Sequence, residues 1–201
     1  MGLGIAFYVL FMLIDIIISI WNSYNVGRSL EYMRINNIYN DWPRLVSYST
    51  LVLSFAGAAY GTTGILSIIA YYFSYISSNT LISVLSLSFL VFGLLIILFG
   101  IVVTVNSIIV AYKTRNFWSV LVALFNSIST IWNIFIYIEG FSYAIESLRD
   151  ISNDRDSQNA LALIIIAAVL ISFFLVYGAY KYGKYSLYKN TVSINPSPID
   201  Y

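Results

Sequence analysis

Residues 81–111 read LISVLSLSFLVFGLLIILFGIVVTVNSIIVA, and this stretch decides the fold. It contains no Asp, Glu, Lys or Arg. About 20 mostly apolar residues in a helix are enough to cross the hydrocarbon of a bilayer. A run this long and apolar on every side has no polar face to turn toward water. The rest of the chain agrees. Of 201 residues, 60% are hydrophobic and only 9% are charged, with a mean hydropathy of +0.83. An ordinary soluble domain carries roughly 25% charged residues. Too few polar side chains exist here to cover a water-exposed surface. Composition therefore excludes a soluble enzyme, a disordered chain and a nucleic-acid-binding domain. The net charge of +1 gives no pull toward nucleic acid.

Working outward from 81–111, four further apolar runs stand out: 3–21, 45–72, 117–138 and 161–180. The sequence thus predicts an all-α, polytopic transmembrane bundle of about five spans. Residues 1–190 form a single helical domain, and 191–201, with Pro196 and Pro198, form a flexible tail. The second and third connections are short, and the fourth, Gly140 to Ala160, is longer and acidic. Pro43 suits the first turn of the second span. Ser77, Ser78, Asn79 and Thr80 make a tight turn whose side chains cap the third. The first connection, with Leu30, Met33 and Ile38 among Arg28, Glu31 and Arg34, extends the first helix along the membrane surface or docks a partner.

The few charges carry the topology. Arg28, Arg34 and Arg44 follow the first span, Lys113 and Arg115 the third, and Lys181, Lys184 and Lys189 the fifth. Only Arg149 and Arg155 fall on the opposite side. The positive-inside rule places the eight in the cytoplasm, with the N-terminus outside and the C-terminus cytoplasmic. The first span lacks the basic start and the cleavage site of a signal peptide. Tyr71, Tyr72, Phe73 and Tyr75 form one aromatic belt. Tyr177, Tyr180, Tyr182, Tyr185 and Tyr188, interleaved with lysines, form the other.

Small residues mark helix packing. Ser47, Thr50, Ser54, Gly57, Gly61 and Gly64 follow one another by threes and fours, with Gly57 and Gly61 a GxxxG pair. Ser86, Gly93, Gly100 and Ser107 are spaced by sevens. Such stripes let backbones approach closely. The simplest expectation is that the stripes close a tight hairpin of the second and third helices; the alternative is that one of them faces a sister subunit in an oligomer.

Polar residues inside the spans are the candidate site. Asp15 heads a face with Ser19 and Asn22. The fourth span carries Asn126, Thr130 and Asn133, and the third ends near Asn106. Pairing the first and fourth helices would give Asp15 donors on Asn126 or Asn133, and these seven residues would line a polar path. Residues 15–22, DIIISIWN, align with 126–133, NSISTIWN. That likeness echoes the inverted repeats of transporters. It is short, and a sixth span is lacking.

Reaction chemistry is thin. There is no cysteine and no histidine, so thiol nucleophiles, imidazole bases and the commonest metal ligands are absent. No phosphate loop or nucleophile elbow is present. Asp150, Ser152, Asp154 and Asp156 echo a calcium loop, but Arg155 takes the glycine position and Leu161 the final glutamate. The expectation is a non-enzymatic structural or assembly subunit, without metal or cofactor. Its partners are the lipid bilayer and either further copies or other membrane subunits. The alternative is a channel or transporter subunit built on the polar path. The location expected is the cell membrane. The isoleucine, tyrosine, serine and asparagine bias suits an AT-rich genome such as that of a thermophilic archaeon or one of its viruses, where the location becomes the host cell membrane.

Overall fold

The computed structural model describes residues 2–149 and 155–194. The described residues form five helices: α1 (Gly2–Ile35), α2 (Asp41–Tyr72), α3 (Ser78–Thr114), α4 (Phe117–Arg149) and α5 (Arg155–Ile194). Each is long and apolar enough to span a membrane. The shortest has 32 residues and the longest 40. At 1.5 Å per residue they are about 48 to 60 Å long. A bilayer is about 40–45 Å thick including headgroups, so the helices are long enough to cross the interfacial zones as well as the hydrocarbon.

This length departs from the apolar runs. The polar stretch after residue 21 extends the first helix, as one reading of the first connection expects: α1 continues unbroken to Ile35. The fourth connection, expected from Gly140 to Ala160, is mostly helix, since α4 reaches Arg149 and α5 starts at Arg155. Hydropathy finds the part of a helix that sits in oil. It is blind to turns that continue past the apolar run. Helix α5 likewise runs through Ile194, past the expected boundary at 191. Pro196 and Pro198, and Asp150, Ser152 and Asp154 of the calcium-like pattern, lie outside the described residues.

The turns close as their chemistry dictates. Asn40 caps α2 by accepting from the amide of Trp42 at 3.1 Å. Ser77 caps α3 by accepting from the amide of Thr80 at 3.2 Å. Arg115 ends α3 in the left-handed region, φ 51°, and Asn116 then accepts from the amide of Trp118.

Helix α2 is central. It packs against α1, α3 and α5, and α5 also lies against α1 and α3. Helix α4 packs against α3 alone: among the described residues no Cα of α4 comes within 8 Å of one in α1, α2 or α5. The core is made of small side chains. Ala56 and Ala59 meet Phe92, with Tyr60, Leu95, Ile96 and Val169 around them. Nearer one end, Ile76, Val84 and Ile164 form a second cluster. Some buried hydroxyls bond within their own helices, while Ser83, Thr80 and Ser172 bond across to neighbouring ones. Thr63 donates to the carbonyl of Ala59 at 2.7 Å, and Ser67 to that of Thr63 at 2.6 Å.

The small-residue stripes do pack helices, but not each other. A methyl added to Gly61 would lie 2.7 Å from the carbonyl oxygen of Met12, and one added to Gly57 would lie 2.9 Å from Ser19 Oγ. Gly64 faces Met12 and Tyr8. The α2 stripe therefore seats α1. On α3, Gly93 faces the ring of Tyr137 and Gly100 faces Thr130, so this stripe seats α4. Helices α2 and α3 meet instead through Ala56, Ala59 and Phe92. Spacing identifies a close-packing face; it does not say which neighbour fills it.

Candidate functional site

Two polar regions emerge near the middle of the bundle. The first is a cleft over α3, between α2 and α4. It exists because both flanking helices lean on α3 while their own backbones stay more than 8 Å apart between Cα atoms. Four cavities follow one another along it. One of about 170 Å³ is lined by Tyr60, Phe89, Gly93, Ile96, Asn133, Ile136 and Tyr137. Toward the end rich in basic residues, a smaller one of about 80 Å³ is lined by Gly100, Thr104, Asn126, Ser129, Thr130 and Asn133, among others. Beyond it lies one of about 390 Å³ with Thr50, Asn106, Trp118 and Asn126. Toward the other end, one of about 340 Å³ includes Tyr60, Ser86, Gly140 and Tyr143.

The polar side chains of the cleft divide into bonded and unbonded. Thr104 and Thr130 share a hydroxyl hydrogen bond of 2.8 Å. Trp42 Nε1 donates to the amide oxygen of Asn106 at 3.0 Å, tying the start of α2 to α3. Tyr137 donates to the carbonyl of Leu90 at 3.0 Å. Among the described residues, the side-chain amide of Asn133 has no hydrogen-bond partner, although it is half-buried and borders two of the cavities.

The second region is on α1. Asp15 stands at the surface of the bundle, exposed, on the flank of α1 that meets α2. The hydroxyls of Tyr8 and Tyr60 face one another, with the Asp15 carboxyl near enough to act on both electrostatically. An aspartate at a helix centre in the bilayer costs about 2.5 to 3.5 kcal/mol to insert.

The seven expected site residues thus separate into two groups. Asn106, Asn126, Thr130 and Asn133 come together in the cleft. Asp15, Ser19 and Asn22 do not join them, and none of the four cavities is lined by them. Ser19 is buried against Gly57, and Asn22 is half-buried. The pairing of α1 with α4 is not formed, because α2 and α3 stand between them. In the aligned segments 15–22 and 126–133, both tryptophans point outward: Trp21 is 64% exposed and Trp132 61%. Among the described residues, no three acids converge to hold a metal ion.

One junction escaped the sequence reading. Gly27 and Gly183 bring α1 and α5 into backbone contact. A methyl on Gly27 would overlap the carbonyl oxygen of Tyr180 and lie 3.1 Å from the amide nitrogen of Lys184. A methyl on Gly183 would overlap the carbonyl oxygen of Tyr24. Around this crossing, Tyr24 and Ser186 hydroxyls lie 3.1 Å apart, and the rings of Tyr24 and Tyr182 are 5.9 Å apart. Arg28 lies over Tyr24, and Lys184 over Tyr180. Two small pairs at i and i+4 were the available signal: Ser23 with Gly27, and Ala179 with Gly183.

No protein-family model matches the chain, and neither curated proteins nor solved structures show significant similarity to it.

Proposed function

We propose that this chain is a non-enzymatic, multi-pass membrane subunit that works by assembling with other membrane proteins. The observation that carries the reading is the position of Asp15: a carboxyl near the middle of a spanning helix, on the outside of the bundle. Ionisable groups inside a membrane are rare and normally find a partner. Helix α4, whose backbone among the described residues approaches only that of α3, leaves further apolar surface for neighbours. The proposed orientation puts the N-terminus outside and the C-terminus in the cytoplasm of a cell membrane. Eight of the ten basic residues gather at that end. Purification in mild detergent followed by native mass spectrometry tests the assembly. A species larger than the 22.7 kDa monomer is expected. A chain that stays monomeric in lipid-preserving nanodiscs at every concentration refutes it.

A second reading, a channel or transporter subunit, is favoured by one feature: the unbonded Asn133 amide in a cleft shared with Asn126 and Thr130. Flux of small ions or solutes in proteoliposomes, abolished by Asn133→Leu, would support it. Wild-type vesicles as tight as empty ones would refute it.

A further inference from the structure

The face of α1 that carries Asp15 borders α2 on one side, where the Tyr8 and Tyr60 hydroxyls lie near the carboxyl, and is open on the other. Phe11, Asp15 and Ile18 are exposed and Asn22 is half-buried. Their spacings of 4, 3 and 4 put them in one seam, the pattern on which a second helix packs side by side. Phe11 is 62% exposed and Ile18 50%, so the seam is apolar around its acid. Asp15 lies about 5 Å from the midpoint of α1 along its axis, at 1.5 Å per residue. Lipid tails at that depth offer a carboxylate neither charge nor hydrogen bonds.

Among the described residues no cation pairs with it, and its near neighbours Tyr8 and Tyr60 offer hydroxyls rather than a cation. The nearest along α1 is Arg28, about 20 Å further on by the same rise. The other basic residues cluster at the helix ends. The amides of Asn126 and Asn133 belong to α4, which does not reach α1. A second copy packed two-fold on this seam would bring a second Asp15 to the first, and like carboxylates sharing a site repel.

We propose that Asp15 receives a lysine or arginine from a spanning helix of a different membrane protein, seated along Phe11, Asp15, Ile18 and Asn22. The inference rests on the assembly reading and names the chemistry of the partner. Charge complementarity selects it: a carboxylate in hydrocarbon gains most from an oppositely charged group that is itself costly to leave unpaired.

The test uses the full chain in lipid bicelles and synthetic single-span helices of leucine and alanine. The helices differ at one central residue: Lys, Gln or Leu. Association is read by fluorescence energy transfer. The Lys helix is expected to bind about tenfold or more tighter than the Leu helix, as for a charge pair sheltered from water. Asp15→Asn is expected to bring the two within about threefold of each other. Asp41→Asn, at the headgroup end of α2, should change nothing. Circular dichroism and elution volume establish that each variant is folded. Equal binding of all three helices overturns the proposal, as does a Gln helix that binds as tightly as the Lys helix. Disulfide formation between two Asp15→Cys chains at high yield also overturns it, because a second copy would then occupy the seam. The two ideas fail separately. A native complex whose size survives Asp15→Asn removes the ion pair and leaves the assembly. A wild-type chain that is only ever monomeric removes the assembly itself.

Discussion

Replacing Gly27 with alanine puts the α1–α5 junction to a quantitative test. The added methyl overlaps the Tyr180 carbonyl oxygen and comes within 3.0 Å of its carbon and 3.1 Å of the Lys184 nitrogen. All three are backbone atoms, so no rotamer change relieves them. The helices must separate at the crossing. Forced overpacking of this kind costs about 1–3 kcal/mol. Separation also stretches the 3.1 Å contact between Tyr24 and Ser186 beyond hydrogen-bonding range. An interhelical hydrogen bond in a membrane is worth about 0.6 kcal/mol. Against this, alanine in place of glycine favours a helix by about 0.8–1.0 kcal/mol in water. The net expectation is a loss of about 1–3 kcal/mol. Gly178 supplies the control on the helix that Gly27 touches, because a methyl there meets nothing within 4 Å. Gly178→Ala should leave stability unchanged or raise it by up to about 1 kcal/mol. Unfolding in mixed micelles, followed by circular dichroism against the mole fraction of denaturing detergent, gives both values. If Gly27→Ala proves no worse than Gly178→Ala, the close crossing does not exist. Gly183→Ala should match Gly27→Ala, and the double variant should lose less than the sum, because one separation relieves both clashes.

The remaining predictions concern other junctions. Gly61→Leu should break the seat of α1 on α2, since a methyl alone would lie 2.7 Å from the Met12 carbonyl oxygen; protease resistance of α1 unchanged from wild type would contradict that seat. A double-mutant cycle on Thr104→Val and Thr130→Val should return a coupling near 0.6 kcal/mol, the typical worth of an interhelical bond. A coupling of zero would mean that the 2.8 Å hydroxyl pair does not hold α4. Because the chain has no cysteine, introduced pairs are free of background. Thr80→Cys with Ser157→Cys should form a disulfide readily, their hydroxyls being 2.9 Å apart, and Asp15→Cys with Asn133→Cys within one chain should not. The reverse result would restore the α1–α4 pairing.

The five helices were legible because spanning hydrocarbon imposes a long apolar run, and each run in this sequence is one helix. Their ends were not, because polar residues such as Ser23, bonded to the Ser19 carbonyl, and Glu31, paired with Arg34, continue the helix with no apolar run to mark it. The glycines of α2 and α3 could be recognised as packing positions from spacing alone. Their partners could not: Gly61 selects Met12 because of how three other helices are arranged, and no local pattern encodes that. The polar residues illustrate the same boundary. Asn126, Thr130 and Asn133 share a face by helical periodicity and duly share a cleft. Asp15 was assigned to them on chemistry, a donor for an acceptor, and the order of helices in the bundle keeps them apart. Gly27 and Gly183 were readable in principle from Ser23 and Ala179 four residues earlier. Both lie beyond the most apolar segments, where small residues at this spacing carry less weight as a packing signal.

The Gly27–Gly183 contact joins segments more than 150 positions apart in the chain. Hairpins of neighbouring helices can form as each pair leaves the ribosome and enters the bilayer. This joint has to wait for the fifth helix. Until then the glycine notch on α1, flanked by Ser23 and Tyr24, faces lipid or whatever chaperone attends insertion. Assembly of the bundle therefore has a late, non-local closing step, which slows folding through the entropy of bringing distant segments together. A ribosome stalled within α5 would leave an intermediate whose α1 is inserted but unlatched, a form that membrane quality control has time to recognise.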